Sequence, residues 1–300
     1  MGWFLTSATP RRSRKKTTKA APKPWDPQRT LRGLKALGAA AAAAGLIGGW
    51  VYGERALRAY VAQRTAKPVL HERVELAQAP RWMSPALATE LRTAVAFQLG
   101  EDPMDAQSLQ HAATALAASP WVAQVQRIER LPGGRARVAA QYRRPVAVVE
   151  TDRGYQLVDP HGVVLPQTYR VQELAAVGLI PIEGVTADAP PPGRAWEDPQ
   201  LDAALAVLRL LEPQPWYGQV KSIDASGRDT RGRIRLVLHT ASGQITWGLP
   251  PGQEQPVEPA AATKIQWLHQ IYAGSGGRTI DAGGKTIDIY SAAAWERPQP

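Results

Sequence analysis

Residues 119–147 read SPWVAQVQRIERLPGGRARVAAQYRRPVA, and this stretch decides the fold. Two runs rich in β-branched and alternating apolar side chains, 122–131 and 135–142, flank Pro132-Gly133-Gly134, a strong turn signal, so the stretch predicts a β-hairpin. Upstream, Ser84-Pro85 reads as a helix cap followed by a first-turn proline, and Leu87, Leu91, Ala94, Val95 and Leu99 keep a 3.6-residue period. Asp105 caps a second helix with Leu109, Ala112, Ala113 and Leu116 on its buried face, and Pro120 ends it. Residues 71–76 alternate, with Val74 and Leu76 on one face. Residues 67–143 therefore form a β-α-α-β-β unit.

Downstream, residues 144–292 read as a mostly antiparallel sheet with helices near 198–211 and 259–272 covering one face. Strands are expected near 145–150, 155–159, 162–165, 179–183, 219–224, 232–239, 244–248 and 278–290, the last as a hairpin about Gly283-Gly284. Pro-rich residues 190–195 and 249–259 read as added loops, the second flexible. The fold class is α+β, and residues 293–300 form a carboxyl-terminal tail.

Charge separates the amino-terminal end from this body. The chain carries 36 basic and 26 acidic side chains, a net of +10, but residues 1–35 hold a net of +9 and everything after them only +1. The tail is also rich in Pro, Ser and Thr, so residues 1–33 read as a disordered basic segment rather than a folded nucleic-acid face. Residues 34–53 follow with Lys35 as their one charge, long enough to span a bilayer of roughly 30 Å, and residues 54–66 read as a linker. A soluble Ala-rich helix is disfavoured by Gly45, Gly48, Gly49 and Gly53, each weakening a helix in water by up to about 1 kcal/mol. A cleaved signal peptide is the other competitor, but the long tail and the absence of a small-x-small site after Tyr52 favour an uncleaved anchor. Basic residues on its amino side put the tail in the cytoplasm and the bulk outside it. Gly45, Gly49 and Gly53 recur every fourth residue, a stripe on which a second helix could pack, although chance in an Ala/Gly-rich span produces the same spacing.

Zero cysteines exclude a disulfide framework, a thiolate nucleophile and Cys-ligated metals, and the absence of Asn excludes N-glycosylation. His71-Glu72-Arg73-Val74-Glu75 begins like a zincin helix but lacks the second His, and Ala273-Gly274-Ser275-Gly276-Gly277 lacks the context of a nucleophile elbow. The five histidines have no metal-ligand spacing, and Asp159 and His161 read as turn residues. The residues point to no catalytic site, no metal and no cofactor. A binding protein is the favoured class.

The order of elements is that of a POTRA domain, and local motifs agree. Ser119-Pro120-Trp121-Val122, Val125-Gln126-Arg127-Ile128 and Arg143-Arg144-Pro145-Val146-Ala147 resemble a run of the bacterial division proteins of the FtsQ/DivIB family. Tyr155 to Val164, Ile180 to Gly184, Gly243 to Gly248, Lys264 to Leu268 and Ile280-Asp281 resemble that family's later motifs in the same order. Arg143 stands where the family has an acid, and the two Pro-rich loops are additions. The resemblance implies a non-enzymatic division scaffold of the inner membrane, single-pass and at the division site, that binds other division proteins and no small-molecule substrate or nucleic acid. It implies that septal wall-synthesis proteins meet the POTRA domain, whose strand 122–131 is a natural edge with polar Gln124, Gln126 and Arg127. It also implies that a small single-span coiled-coil protein of the FtsB kind adds a strand at the carboxyl-terminal strands. There Ile287 and Ile289 are expected to face the core, with Thr286, Asp288 and Tyr290 outward and Lys285 and Arg278 as charge partners. A POTRA protein assisting translocation and a membrane-anchored cell-wall enzyme are the alternatives.

Overall fold

The computed structural model describes residues 27–65, 68–102, 104–281 and 283–291, so most of the expected basic tail and all of the carboxyl-terminal tail lie outside the described residues. The chain divides into two units, Met1–Val61 and Ala62–Pro300. The first contains most of helix α1 (Pro27–Thr65), whose 27-residue stretch Leu34–Tyr60 contains an 18-residue window with a mean hydropathy of 1.5. At 1.5 Å per residue that stretch measures about 40 Å, longer than the hydrocarbon core of a bilayer. It is a helix long and apolar enough to cross a membrane. The linker expected at 54–66 is a continuation of this helix as far as Thr65, because Glu54 and Arg58, one turn apart, pair at 2.6 Å among good helix formers. A Cβ added at Gly45, Gly49 or Gly53 would meet nothing within 4 Å.

In the second unit, residues 71–77 divide into a 3-10 turn, His71–Arg73, and strand β1 (Val74–Ala77), so the expected strand starts later than its alternation suggested. Helix α2 (Pro85–Gln98) starts where Ser84 Oγ accepts the Leu87 N–H at 3.2 Å. Helix α3 (Ala106–Ala117) starts where Asp105 Oδ1 accepts the N–H groups of Gln107 and Ser108. Strands β2 (Val122–Leu131) and β3 (Arg135–Tyr142) then form the hairpin, with Gly133 and Gly134 at φ +82° and +71°, a region open to glycine at little cost. The strands lie in the order β1-β3-β2, with β1 parallel to β3. Leu87, Leu91, Val95, Ala112 and Leu116 of the helices pack with Val74, Leu76, Ala136 and Val138 of the strands into one core.

The larger layer holds β4 (Ala147–Thr151), β5 (Gly154–Val158), β6 (Val164–Tyr169), a short helix α4 (Leu174–Val177), β7 (Ile180–Glu183), helix α5 (Pro199–Leu211), β8 (Ser222–Arg228), β9 (Ile234–His239), β10 (Gln244–Gly248), helix α6 (Ala261–Gly274) and β11 (Thr286–Asp288). Its order is β11-β10-β9-β8-β7-β4-β5-β6. The expected antiparallel character is only partial, since β4/β7, β7/β8 and β10/β11 are parallel. The reason lies in the helices: α5 and α6 each carry the chain back to the same end of the sheet, which makes β7-α5-β8 and β10-α6-β11 crossover units. Both helices cover one face, where Leu201, Leu205, Leu208 and Leu268 meet Val149, Ile182, Ile223, Leu236 and Trp247. The expected hairpin at 278–290 does not form: Thr279–Asp281 are not a strand, and β11 pairs with β10 instead.

On the other face Val148, Leu157 and Leu165 belong to the core of the three-stranded layer. The connection between the layers is pinned by charge as well. Arg143 Nη1 donates to Asp159 Oδ2 at 2.9 Å, with the Asp159 side chain only 2% exposed, while Asp159 Oδ1 accepts the N–H groups of His161 and Val163. Asp159 is thus the turn residue expected, with a second partner across the junction. Next to it, Arg144 forms a forked pair with both carboxylate oxygens of Glu212, and the hydrogen bond from Arg144 holds the Glu212 carboxyl below its ordinary value.

Asp159→Ala should lower unfolding stability by about 3 kcal/mol, because Arg143 and two N–H groups lose their acceptor together. Urea titration of the purified chain in detergent measures it. A depressed carboxyl stabilises fully above its unfolded pKa of about 4.3 and loses that contribution as pH falls through the lower folded value. Wild-type stability should therefore fall more steeply below about pH 4 than that of Glu212→Gln.

Candidate functional site

The termini of the eight-stranded sheet differ. At one end β6 is closed to a further strand: it contains Pro166, its pairing with β5 shifts register between Gln156 and Val158, and residues 193–195 lie along it. The Gly193 N–H donates to the Val164 carbonyl at 2.7 Å, and the Val164 N–H donates to the Arg194 carbonyl at 2.9 Å. These contacts also fold the expected Pro-rich loop against the sheet.

At the other end β11 has no outer neighbour among the described residues. The Lys285 carbonyl and the Ile289 N–H both reach back to β10, at Gln244 and Thr246. By alternation the N–H and C=O groups of Thr286 and Asp288 point away from the sheet, the arrangement that accepts another strand. Ile289 is buried and Ile287 packs on the helix-covered core, as the sequence pattern predicts. Thr286 and Lys285 are exposed. Tyr290 departs from the expectation of a presented side chain: its N–H donates to Asp288 Oδ1 at 2.9 Å, and its half-buried ring lies 5.0 Å from the Arg235 guanidinium. Arg278 belongs to a different segment, the turn after α6, where its Nε donates to the Ser275 carbonyl and its own carbonyl accepts from Gln219.

The segment before β11 is tied down by Asp281, whose Oδ2 accepts from the Ser242 N–H and hydroxyl at 2.8 and 2.9 Å. Burial pushes that carboxyl up, but the hydrogen bonds from Ser242 and Gly283 outweigh it and hold the group below its ordinary value. Beneath Tyr290 lies a buried ion pair that sequence reasoning did not single out. Lys264 Nζ meets Glu258 Oε1 at 2.5 Å, with both side chains essentially without exposure, and sits 5.2 Å from the Trp247 ring. Burial pushes the Lys264 ammonium below its ordinary value, opposed by the Glu258 carboxylate. The same oxygen accepts the Leu249 N–H at 2.8 Å. Residues 249–259, expected as a flexible loop, are thus a folded segment anchored at Leu249 and Glu258. Gly248, at φ +93°, separates the two halves: a Cβ there would collide with both the Glu258 carboxylate and the Tyr290 ring. Its appearance at the end of an alternating strand was the only sequence signal for this contact.

The β2 edge is less regular than its alternation implies. Pairing with β3 shifts between Val122 and Gln124 and again between Val125 and Arg127, leaving Ala123 and Gln126 as bulged residues. The second bulge is why Gln126 and Arg127, adjacent in sequence, are both exposed, with Gln124 exposed as well. Arg127 pairs with Glu129 at 2.8 Å. An open cavity of about 970 Å³ lies between the β4–β5 turn and the Pro-rich loop, lined by Thr151, Arg153, Gln156, Thr168 and Asp188 among others. Among the described residues no three His, Cys, Asp or Glu side chains converge on a point. Compared with known proteins, the chain matches no family model and no curated sequence.

Gly248→Ala should destabilise the carboxyl-terminal end by about 2 kcal/mol or more and speed amide exchange at 286–290. Lys264→Met alone should cost about 3 kcal/mol by stranding a buried carboxylate, whereas Lys264→Met with Glu258→Gln should recover most of that loss, because the amide oxygen still accepts from Leu249. Thermal melts of the four proteins in a double-mutant cycle measure the coupling.

Proposed function

We propose that this chain is a membrane-anchored scaffold of the bacterial division machinery, acting by protein–protein binding. Its helix α1 lies in the inner membrane with the basic tail in the cytoplasm and the body outside, as the charge asymmetry across the span favours. The observation that carries the reading is the unequal pair of edges: β6 is closed by Pro166 and residues 193–195, while the outward backbone groups of Thr286 and Asp288 in β11 have no partner among the described residues. The resemblance to the FtsQ/DivIB family supplies the partner, a small single-span coiled-coil protein whose end adds as a strand. The β-α-α-β-β unit takes the POTRA role, with septal wall-synthesis proteins at the bulged β2 edge.

Thr286→Pro removes one outward N–H and the hydroxyl that accepts from Gln244, while the backbone bonds to β10 stay in place, so Thr286→Val, which loses only the hydroxyl, is its control. Relative to Thr286→Val, it should weaken capture of an FtsB-type partner by about tenfold or more in a pull-down, with the same melting temperature. Undiminished capture moves the interface away from β11. A fluorescent fusion of the full chain should form a mid-cell band in dividing cells, and an even envelope distribution counts against the division reading. Gln126→Pro, at a bulge where proline is tolerated, should reduce recruitment of wall-synthesis proteins without unfolding the layer.

A further inference from the structure

Outside α1, the large apolar side chains exposed among the described residues are Leu70 (49%), Phe97 (85%), Met104 (52%), Val171 and Val257. The first three lie at one end of the three-stranded layer. The 3-10 turn after Leu70 packs on α2, and Arg73 Nη1 donates to the Gly133 carbonyl in the β2–β3 turn at 3.1 Å. Arg130, near the end of β2, donates to Ser108 Oγ at 2.9 Å, which places the start of α3 beside the same turn. Phe97 in the last turn of α2 and Met104 just before α3 are joined by the short connection between those helices, so they share that end. One turn before Phe97, the Thr93 hydroxyl donates to the Thr89 carbonyl at 2.8 Å, which leaves the exposed stripe of α2 less polar than its sequence implies.

We propose that this end, through Phe97, Leu70 and Met104, rests on a lipid surface, that of the membrane holding α1. The inference rests on the reading of α1 as an anchor. Chain length supports it: Leu70 is five residues beyond Thr65, a reach of at most about 18 Å. The apolar side chains thus stay near the interface, where an aromatic ring and aliphatic stems settle at headgroup depth. Arg73 and Arg135, with Arg64 and Lys67 of the adjoining sequence, are nearly balanced by Glu72, Glu101 and Asp102, so apolar contact and not net charge drives the docking. Zwitterionic lipid therefore suffices.

The chain has no cysteine, so single labels report cleanly. The full chain with Phe97→Cys, Val257→Cys or Leu46→Cys, each carrying a fluorophore, is reconstituted in phosphatidylcholine vesicles containing a lipid with a nitroxide quencher, shallow for positions 97 and 257 and deep in the acyl chain for position 46. Lipid quenching at position 97 should exceed that at 257 by about threefold, iodide should quench 97 less than 257, and added anionic lipid should change neither. Leu70→Glu in the Phe97→Cys chain should return quenching at 97 toward the level at 257. Equal behaviour of 97 and 257, with 46 still quenched, overturns lipid docking and leaves the anchor standing. Absence of lipid quenching at 46 overturns both. Protection of 97 from iodide that grows with protein density but brings no lipid quenching assigns the patch to a second copy and overturns the proposal.

Discussion

Val148, Leu157 and Leu165 are buried on the face of the large sheet that turns away from its helices, and they complete the core of the three-stranded layer. Most of the architecture follows from that contact. Strand β4 is covered on both faces at its start, which is why Ala147, Val148 and Val149 run consecutively without a polar residue. The Arg143–Asp159 pair then lies at a protected junction, where a charge left without its partner is costly. Toward β9 and β10 the second face changes character: Arg235, Val237 and Gln244 are only partly buried or exposed. The sheet therefore has a doubly covered half and a half with an open face.

The open half is where the exposed edge lies. β11 is short, and two of its backbone contacts to β10 are long, at 3.3 and 3.4 Å. Its position depends as well on side chains: Asp281 on Ser242 before it, Gln244 on Thr286 within it, and Tyr290 against Arg235 after it. The glycine between Tyr290 and Glu258 makes that last contact possible, since any side chain would separate the ring from the ion pair behind it.

Local signals in the sequence located most elements. The caps at Ser84 and Asp105, the Pro132-Gly133-Gly134 turn and the period of α2 and α3 are properties of short segments, so they are legible without partners. Pairing is not local, and there the reading departed from the structure. Alternation in β7 and β8 says which face is buried but not that α5 returns the chain parallel. Ile280 looked like a strand residue because it is apolar and flanked by Thr and Asp; its burial comes from the core between the elements, while Asp281 is occupied by Ser242. The helix beyond Gly53 was missed because charged Glu54, Arg55 and Arg58 resemble a boundary, although charge does not end a helix. At the candidate site Thr286, Ile287, Asp288 and Ile289 were legible from alternation. Lys264 and Glu258 were not, because a buried ion pair leaves no periodic trace, and neither was Arg235, whose contact with the Tyr290 ring is between distant segments.

The strand order has a consequence for the sequence of folding events. β4, β5 and β6 are joined by short turns, and they supply the three side chains that the first core needs. Their buried partners in that core precede them in the chain, with only the half-buried Leu174 and Leu179 added later, so the three-stranded layer and the β4–β6 meander can close on each other early. β7 must then insert beside β4, pairing Ala147 with Ile180 across the whole intervening meander, and α5 and α6 must each wrap back before β8 and β11 find their neighbours. Loop closure of this kind is slow compared with hairpin formation. Until it is complete, β4 has a vacant flank, and that flank is where a wrong strand pairing can start.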